Sequence, residues 1–201
     1  MNILVTGATG FIASQIVHDL LQQGHQVVCC ARDTNYAKLM FPNATIIYSN
    51  YFKENNQAIC RERLKNIDIV INTVGILYHP VPRVIWTVHF ETPRALFDAC
   101  LAAKVKCIVQ FSALGSEKSD TPYAKSKKAI DDYLLSLSIP AIILRPSLVY
   151  GRGSYGGMSL FRGLAGLPWF ILIPGNGQQL LQPIHVEDLS KAVVRLIEQP
   201  K

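Results

Sequence analysis

Short runs of apolar residues alternate along this chain with segments whose apolar positions recur every three or four residues. Runs of strand length occupy residues 2–6 (NILVT), 26–31 (QVVCCA), 44–48 (ATIIY), 67–72 (IDIVIN), 106–111 (KCIVQF) and 141–145 (AIILR). Between the first two, residues 11–23 put Phe11, Ile12, Ile16, Leu20 and Leu21 on one side of a helix, and Gly24 suits the position just past its end. Helix patterns also cover residues 90–103, the stretch after Thr121 and Pro122, and residues 187–198. Thr121 reads as an N-cap with Pro122 at the first helical position, and Glu187 and Asp188 open the last helix. Apolar strands without polar alternation, separated by helices, are buried on both faces. The pattern therefore predicts an α/β fold: a Rossmann-type, doubly wound parallel sheet with helices on both faces. The Gly- and Pro-rich stretch 151–183 is the compositional break.

Composition narrows the function classes. At 201 residues, the chain holds one domain with a substantial core, or one domain and a small appendage. Nearly half the residues (49%) are hydrophobic and 17% are charged, which excludes a disordered chain. The net charge of +6 favours anionic partners such as phosphates. Its basic residues are scattered apart from Lys125, Lys127 and Lys128, so no nucleic acid is expected. The cysteines at 29, 30, 60, 100 and 107 form neither a CxxC pair nor a metal-ligand spacing, and read as buried thiols in a reducing compartment. The apolar segment 158–175 contains Arg162 and Pro168 and is too short to span a bilayer. With no signal-peptide pattern, the expected location is cytoplasmic.

The chemistry begins at TGATG, residues 6–10. Gly7, Gly10 and Ala13 stand three apart between a strand and a helix, where small residues permit a tight turn and close backbone approach to a pyrophosphate. The helix N-terminus then offers unpaired N–H groups and positive dipole charge. Gly7, Thr9, Gly10, Phe11 and Ile12 are the candidate cofactor contacts of this turn. Sites that prefer NAD usually put an acid at the end of the second strand to accept from the ribose 2′-OH. Here Ala31 and Arg32 stand there. A guanidinium cannot accept that bond but pairs with a 2′-phosphate, so NADP is expected; NAD stays open because Asp33 follows.

Six stretches in order carry a resemblance: TGATGFIAS (6–14), VINTVG (70–75), FSALG (111–115), YAKSK (123–127), LRPSLVYG (144–151) and PIHVEDLSKAV (183–193). With them the chain resembles the short-chain dehydrogenase/reductase superfamily, in its extended and atypical branches of NAD(P)-dependent epimerases, dehydratases and reductases. It is also similar to the group of the dehydrogenase-like accessory subunit of respiratory complex I. The resemblance implies that Tyr123 is the acid/base and that Lys127 holds the nicotinamide ribose. Four residues apart, the two share a helix face, and a nearby ammonium favours the phenolate. Ser112 is the implied partner of the substrate oxygen, with Ser116 a substitute if the register differs. His89 stands near an Asn of the family's proton relay. The implied cofactor contacts are Asn50 near adenine, Val74 and Gly75 beside the adenosine ribose, and Pro146 flanking the nicotinamide. His185, Glu187 and Asp188 read as a helix start and not as a metal site.

Two functions follow from these residues. One is an oxidoreductase or epimerase/dehydratase-type enzyme, using Tyr123 and Lys127 on an unnamed small molecule. The other is a non-catalytic NADPH-binding subunit of a larger, respiratory-type assembly. A basic partner-binding module is a third reading. Residues 1–201 are expected to form one NAD(P)-binding domain, with 151–186 a partial substrate-side lobe whose C-terminal part is either truncated or reduced relative to extended members. A homo-oligomer or a membrane-complex partner is compatible with the apolar segment 158–173.

Overall fold

The computed structural model describes residues 1–53, 56–154, 163, 164, 166, 175–178 and 180–199. Its elements run β1 (Asn2–Thr6), α1 (Phe11–Gln22), β2 (Gln26–Ala31), α2 (Thr34–Met40), β3 (Thr45–Tyr48), α3 (Gln57–Arg63), β4 (Ile69–Asn72) and α4 (Pro82–Trp86). A π turn (Thr87–Glu91) then joins α4 to α5 (Thr92–Ala102). There follow β5 (Cys107–Phe111), α6 (Pro122–Ser136), β6 (Ala141–Leu144), β7 (Val149–Tyr150), β8 (Ile184–His185) and α7 (Val186–Glu198).

β1 to β6 form a parallel sheet in the order β3-β2-β1-β4-β5-β6, so the direction of winding reverses between β1 and β4. The Rossmann-type expectation holds. Successive side chains of a strand leave opposite faces of the sheet, and β1 shows why its run has no polar alternation. Ile3 and Val5 join an apolar cluster with Ile16 and Leu20 of α1 and Val193 and Ile197 of α7. Leu4 joins the opposite cluster with Leu96 and Phe97 of α5 and Ile130 and Leu134 of α6. Each fully buried Leu or Ile contributes about 1.5–3 kcal/mol, so both faces must be covered for the sheet to persist. Four of the five cysteines are buried and all five are free thiols.

Several boundaries differ from the sequence pattern. The helices α2, α3 and α4 are too short to display periodicity; α2 and α3 rest on the side-chain caps Asp33 and Asn56. The helical stretch at 90–103 begins earlier, because α4, the π turn and α5 follow one another without a break. α7 is capped by His185, whose Nδ1 accepts from the Glu187 N–H at 3.4 Å, with Glu187 and Asp188 in its first turn. β7 pairs with β8 in parallel and returns the chain to the sheet beside α1. Half of the expected 151–186 lobe, and most of the apolar segment 158–173, lie outside the described residues. Among those described, no helix is long and apolar enough to cross a membrane.

One polar chain crosses this apolar interior at the carboxyl ends of the central strands. Thr6 Oγ1 and Tyr51 OH both donate to Asn72 Oδ1, at 2.7 and 2.8 Å, and Asn72 Nδ2 donates to Gln110 Oε1 at 2.7 Å. Asn72 is 1% exposed, so water cannot replace these partners. Asn72→Ala is expected to cost about 2–4 kcal/mol by taking a hydrogen-bond partner from three buried groups at once. Urea unfolding checks it, and a loss below about 1 kcal/mol would show that the chain is not a stabilising device.

Candidate functional site

The handover from β1 to α1 shapes the site. Gly7 has φ +65°, a left-handed conformation that a Cβ disfavours, and Gly10 N–H closes the turn on Gly7 O at 2.8 Å. A Cβ at Gly7 would lie 3.0 Å from Val74 Cγ2 and 3.3 Å from Thr73 Oγ1. The ends of β1 and β4 are also tied directly, since Thr73 Oγ1 donates to Thr6 O at 2.6 Å. Gly10 caps α1 without a side chain, which leaves the first turn of the helix open toward a ligand.

A cavity of about 520 Å³ opens at this point, over the place where the winding reverses. Of the residues singled out in the sequence, Gly7, Thr9, Gly10, Phe11, Ile12, Arg32, Val74 and Gly75 line it. Asn50 does not: its Oδ1 accepts from the Phe52 N–H at 3.1 Å and shapes a turn. Its neighbours Ser49, Tyr51 and Phe52 line the cavity instead. Reading the positions just after β3 as a group, rather than one side chain, would have found them.

At the far end Arg32 lies over the Phe52 ring, 5.7 Å from its centroid. Asp33 Oδ1 accepts from the Tyr36 N–H at 2.9 Å, so this carboxylate is engaged as the cap of α2. Thr9, Arg32, Asp33, Thr34 and Asn35 border a second, open hollow beside the first.

The other end of the cavity shares Ile12, Thr73, Gly75 and Ile76 with a third hollow of about 240 Å³. Ser112, Tyr123, Lys127 and Pro146 meet there. Lys127 is 4% exposed, and its Nζ donates to Phe111 O at 2.9 Å. Burial pushes its ammonium down to about 8, against the opposing pull of Asp131. The Tyr123 phenol is pushed up by burial, the reverse of the lowering expected from a neighbouring ammonium.

Among the described residues, Ser112 Oγ is buried without a hydrogen-bond partner, as is Asp131 Oδ1. Burial raises the Asp131 carboxyl, while the nearby Ser112 hydroxyl and Arg145 oppose the rise; the Ser112 approach falls short of a hydrogen bond. Asp131 Oδ2 accepts from Arg145 Nε at 3.2 Å. Asp131 was readable as a candidate, being one helical turn beyond Lys127 on the same face. Ser116 is buried and lies outside the lining of all three hollows. His89, 1% exposed, packs against Tyr123 in a T-shaped contact, centroids 5.2 Å apart.

Comparison with known proteins adds three findings. The family described as "NAD dependent epimerase/dehydratase family" matches residues 3–201. NADH dehydrogenase (ubiquinone) 1 alpha subcomplex subunit 9, mitochondrial, of Rattus norvegicus is 26% identical over 204 residues, spanning 98% of this chain and 53% of that protein. Ceramide reductase of Caulobacter vibrioides is 26% identical over 200 residues, spanning 98% of this chain and 61% of the reductase. The chain thus spans little more than half the length of these relatives. In fold it is similar to UDP-glucuronic acid 4-epimerase from Bacillus cereus, solved with UDP-glucuronic acid and NAD. That likeness has a TM-score of 0.81 at 21% identity and covers 100% of this chain and 74% of the epimerase.

Gly7→Ala tests the turn. Its left-handed backbone and the contact with Val74 are expected to cost about 1–3 kcal/mol in urea unfolding. An unchanged midpoint would mean that the turn tolerates a side chain.

Proposed function

Because the chain belongs to the NAD dependent epimerase/dehydratase family, we propose that it binds NADP(H) along the groove from Arg32 to Tyr123 and acts as an oxidoreductase or epimerase-type enzyme. The observation that carries this reading is the continuity of that groove. The cavity over the Gly7–Gly10 turn shares its wall with the hollow that holds Tyr123 and Lys127, so one extended ligand reaches both.

The residues present fit a dinucleotide. A missing Cβ at Gly7 and the open first turn of α1 suit a pyrophosphate, with Thr9, Gly10, Phe11 and Ile12 around it. Val74 and Gly75 would flank the adenosine ribose side, with Tyr51 and Phe52 in the position first considered for Asn50. Arg32 is the proposed partner of a 2′-phosphate, supported by its place between the Phe52 ring and the hollow of Thr34 and Asn35. Asp33 is occupied as a helix cap, which weakens the case for a ribose-accepting acid and hence for NAD. Pro146, Lys127 and Tyr123 would border the nicotinamide.

A bound nicotinamide supplies the hydride that reaches a substrate carbonyl carbon. In that direction Tyr123 gives its phenolic proton to the carbonyl oxygen, and an alcohol results. A phenol pushed up by burial keeps its proton at neutral pH, which suits donation. Lys127, at about 8, is mainly cationic there and is proposed to hold the ribose and to stabilise the phenolate as it forms. Ser112 is proposed as a second donor to the substrate oxygen, after rotation of its hydroxyl away from Asp131.

A second reading is a nucleotide-binding subunit without turnover. It is favoured by the similarity to a protein whose own name is that of an NADH dehydrogenase subunit, and by a Ser112 hydroxyl that is buried away from solvent.

Two measurements separate these readings. Calorimetry is expected to show NADPH binding at least about tenfold tighter than NADH, with the difference lost in Arg32→Ala, as a charge-assisted phosphate contact is worth about 1.5–3 kcal/mol. Tighter NADH binding would overturn the NADP assignment. With NADPH and a panel of aldehydes, ketones, quinones and nucleotide sugars, Tyr123→Phe is expected to slow turnover by about 10²–10⁴-fold while leaving NADPH affinity unchanged. Turnover surviving in Tyr123→Phe would remove that residue from the chemistry; binding with no turnover of any candidate would favour the subunit reading.

A further inference from the structure

His89 lies in the π turn between α4 and α5, with its ring between the Ile76 backbone and Ser126 of α6. Such single-turn bulges insert a residue into a helix and re-aim its side chains. Here the imidazole is 1% exposed and both of its nitrogens have partners. Nε2 accepts from the backbone N–H of Ile76 at 3.0 Å. Nδ1 lies 2.9 Å from Ser126 Oγ, which itself donates to Tyr123 O at 2.8 Å.

These contacts decide the tautomer. A backbone N–H can only donate, so Nε2 carries no proton and the neutral ring has its proton on Nδ1. The Ser126 hydroxyl spends its own proton on Tyr123 O, so it must accept from Nδ1–H. The donors therefore point one way: Ile76 N–H to His89, His89 to Ser126, Ser126 to the backbone of Tyr123. Neither ring nitrogen of His89 nor the Ser126 proton is left over for a relay to the substrate.

We infer that His89 is a positioning residue that couples the loop wall at Gly75 and Ile76 to the first turn of α6, and so sets the place of the Tyr123 ring over the groove. The functional part of this inference rests on the dinucleotide reading above; the coupling itself does not. Its edge-to-face contact with Tyr123, ring planes at 84°, adds a second restraint on the phenol. The absent side chain of Gly75 leaves room for the arrangement: a Cβ there would lie 3.4 Å from both His89 Nε2 and Lys127 Nζ.

The ring also has to stay neutral. Burial, and secondarily the Lys127 ammonium, push it down to about 3. Protonation would set an Nε2–H against the Ile76 N–H and a second cation beside Lys127. The groups facing the ring are Ile76 from the loop, and Tyr123, Ser126 and Lys127 from α6.

The test uses the full chain, first without nucleotide. Ring-nitrogen NMR of His89 is expected to show the Nδ1–H tautomer with no titration from about pH 5 to about pH 9. In tyrosine-labelled protein, with the Tyr123 resonance assigned by its loss in Tyr123→Phe, His89→Leu and Ser126→Ala should each move that resonance. His89→Gln, whose amide can both accept and donate, should restore part of the shift. Ser126→Ala keeps the test decisive if His89→Leu fails to fold, since it removes only a single buried hydroxyl. With NADPH added, both disruptive variants should bind several-fold more weakly. A His89 titration near pH 6.5, or a Tyr123 resonance unmoved in Ser126→Ala, would overturn the inference. Failure of the wild-type chain to bind NADPH would instead overturn the proposed function, and the nucleotide-free resonances would still decide the coupling.

Discussion

A close approach of two backbones governs this structure. The end of β1 turns left-handed at Gly7 beside Thr73 and Val74 at the end of β4, where a Cβ would crowd Val74 Cγ2 at 3.0 Å. That contact lies where the sheet reverses its winding, so the helices after β1 and β4 leave toward opposite faces and a cleft opens between them. Moving the two strand ends apart would close neither the turn nor the cleft correctly. The open first turn of α1, the groove wall at Gly75 and the path to α6 all follow from this arrangement.

Around the cleft, polar groups are held in an interior that would otherwise reject them. Asn72 collects donors from β1 and from the segment after β3 and passes a hydrogen bond on to β5. Lys127 keeps its charge in a buried place through the Phe111 carbonyl and the Asp131 carboxylate. Asp131 in turn is held by Arg145 from the segment after β6. The partners come from β1, the segment after β3, β4, β5, α6 and the segment after β6, so the polar layer also ties the carboxyl edges of the sheet to α6. Among the described residues, two oxygens in it, Ser112 Oγ and Asp131 Oδ1, are left without hydrogen bonds. Buried polar atoms of this kind are costly unless a function uses them, and Ser112 lines the hollow that also holds Tyr123 and Lys127.

Much of the site could be read from the chain. The Gly7–Gly10 turn, Arg32 at the end of β2 and the Tyr123/Lys127 pair all depend on spacing within one element or its end, and spacing survives in a one-dimensional record. Asn50 shows the limit. Its position after β3 was legible, but whether it or its neighbours Tyr51 and Phe52 face the cavity depends on a turn that its own side chain closes. The direction of the Tyr123 shift is a second case: the local i, i+4 ammonium suggested lowering, and burial by residues distant in sequence reversed it.

From its residue pattern alone, then, this protein was committed to a doubly wound parallel sheet with a glycine turn at the head of α1. Apolar runs buried on two faces, and small residues at a strand–helix junction, leave few other packings. Tertiary structure alone decided the charge states and the partners. It made His89 neutral, gave Asp33 to α2, and set Lys127 against Phe111 and Asp131. Those outcomes depend on desolvation and on distances between segments far apart in the chain, and neither quantity exists until the sheet has brought them together.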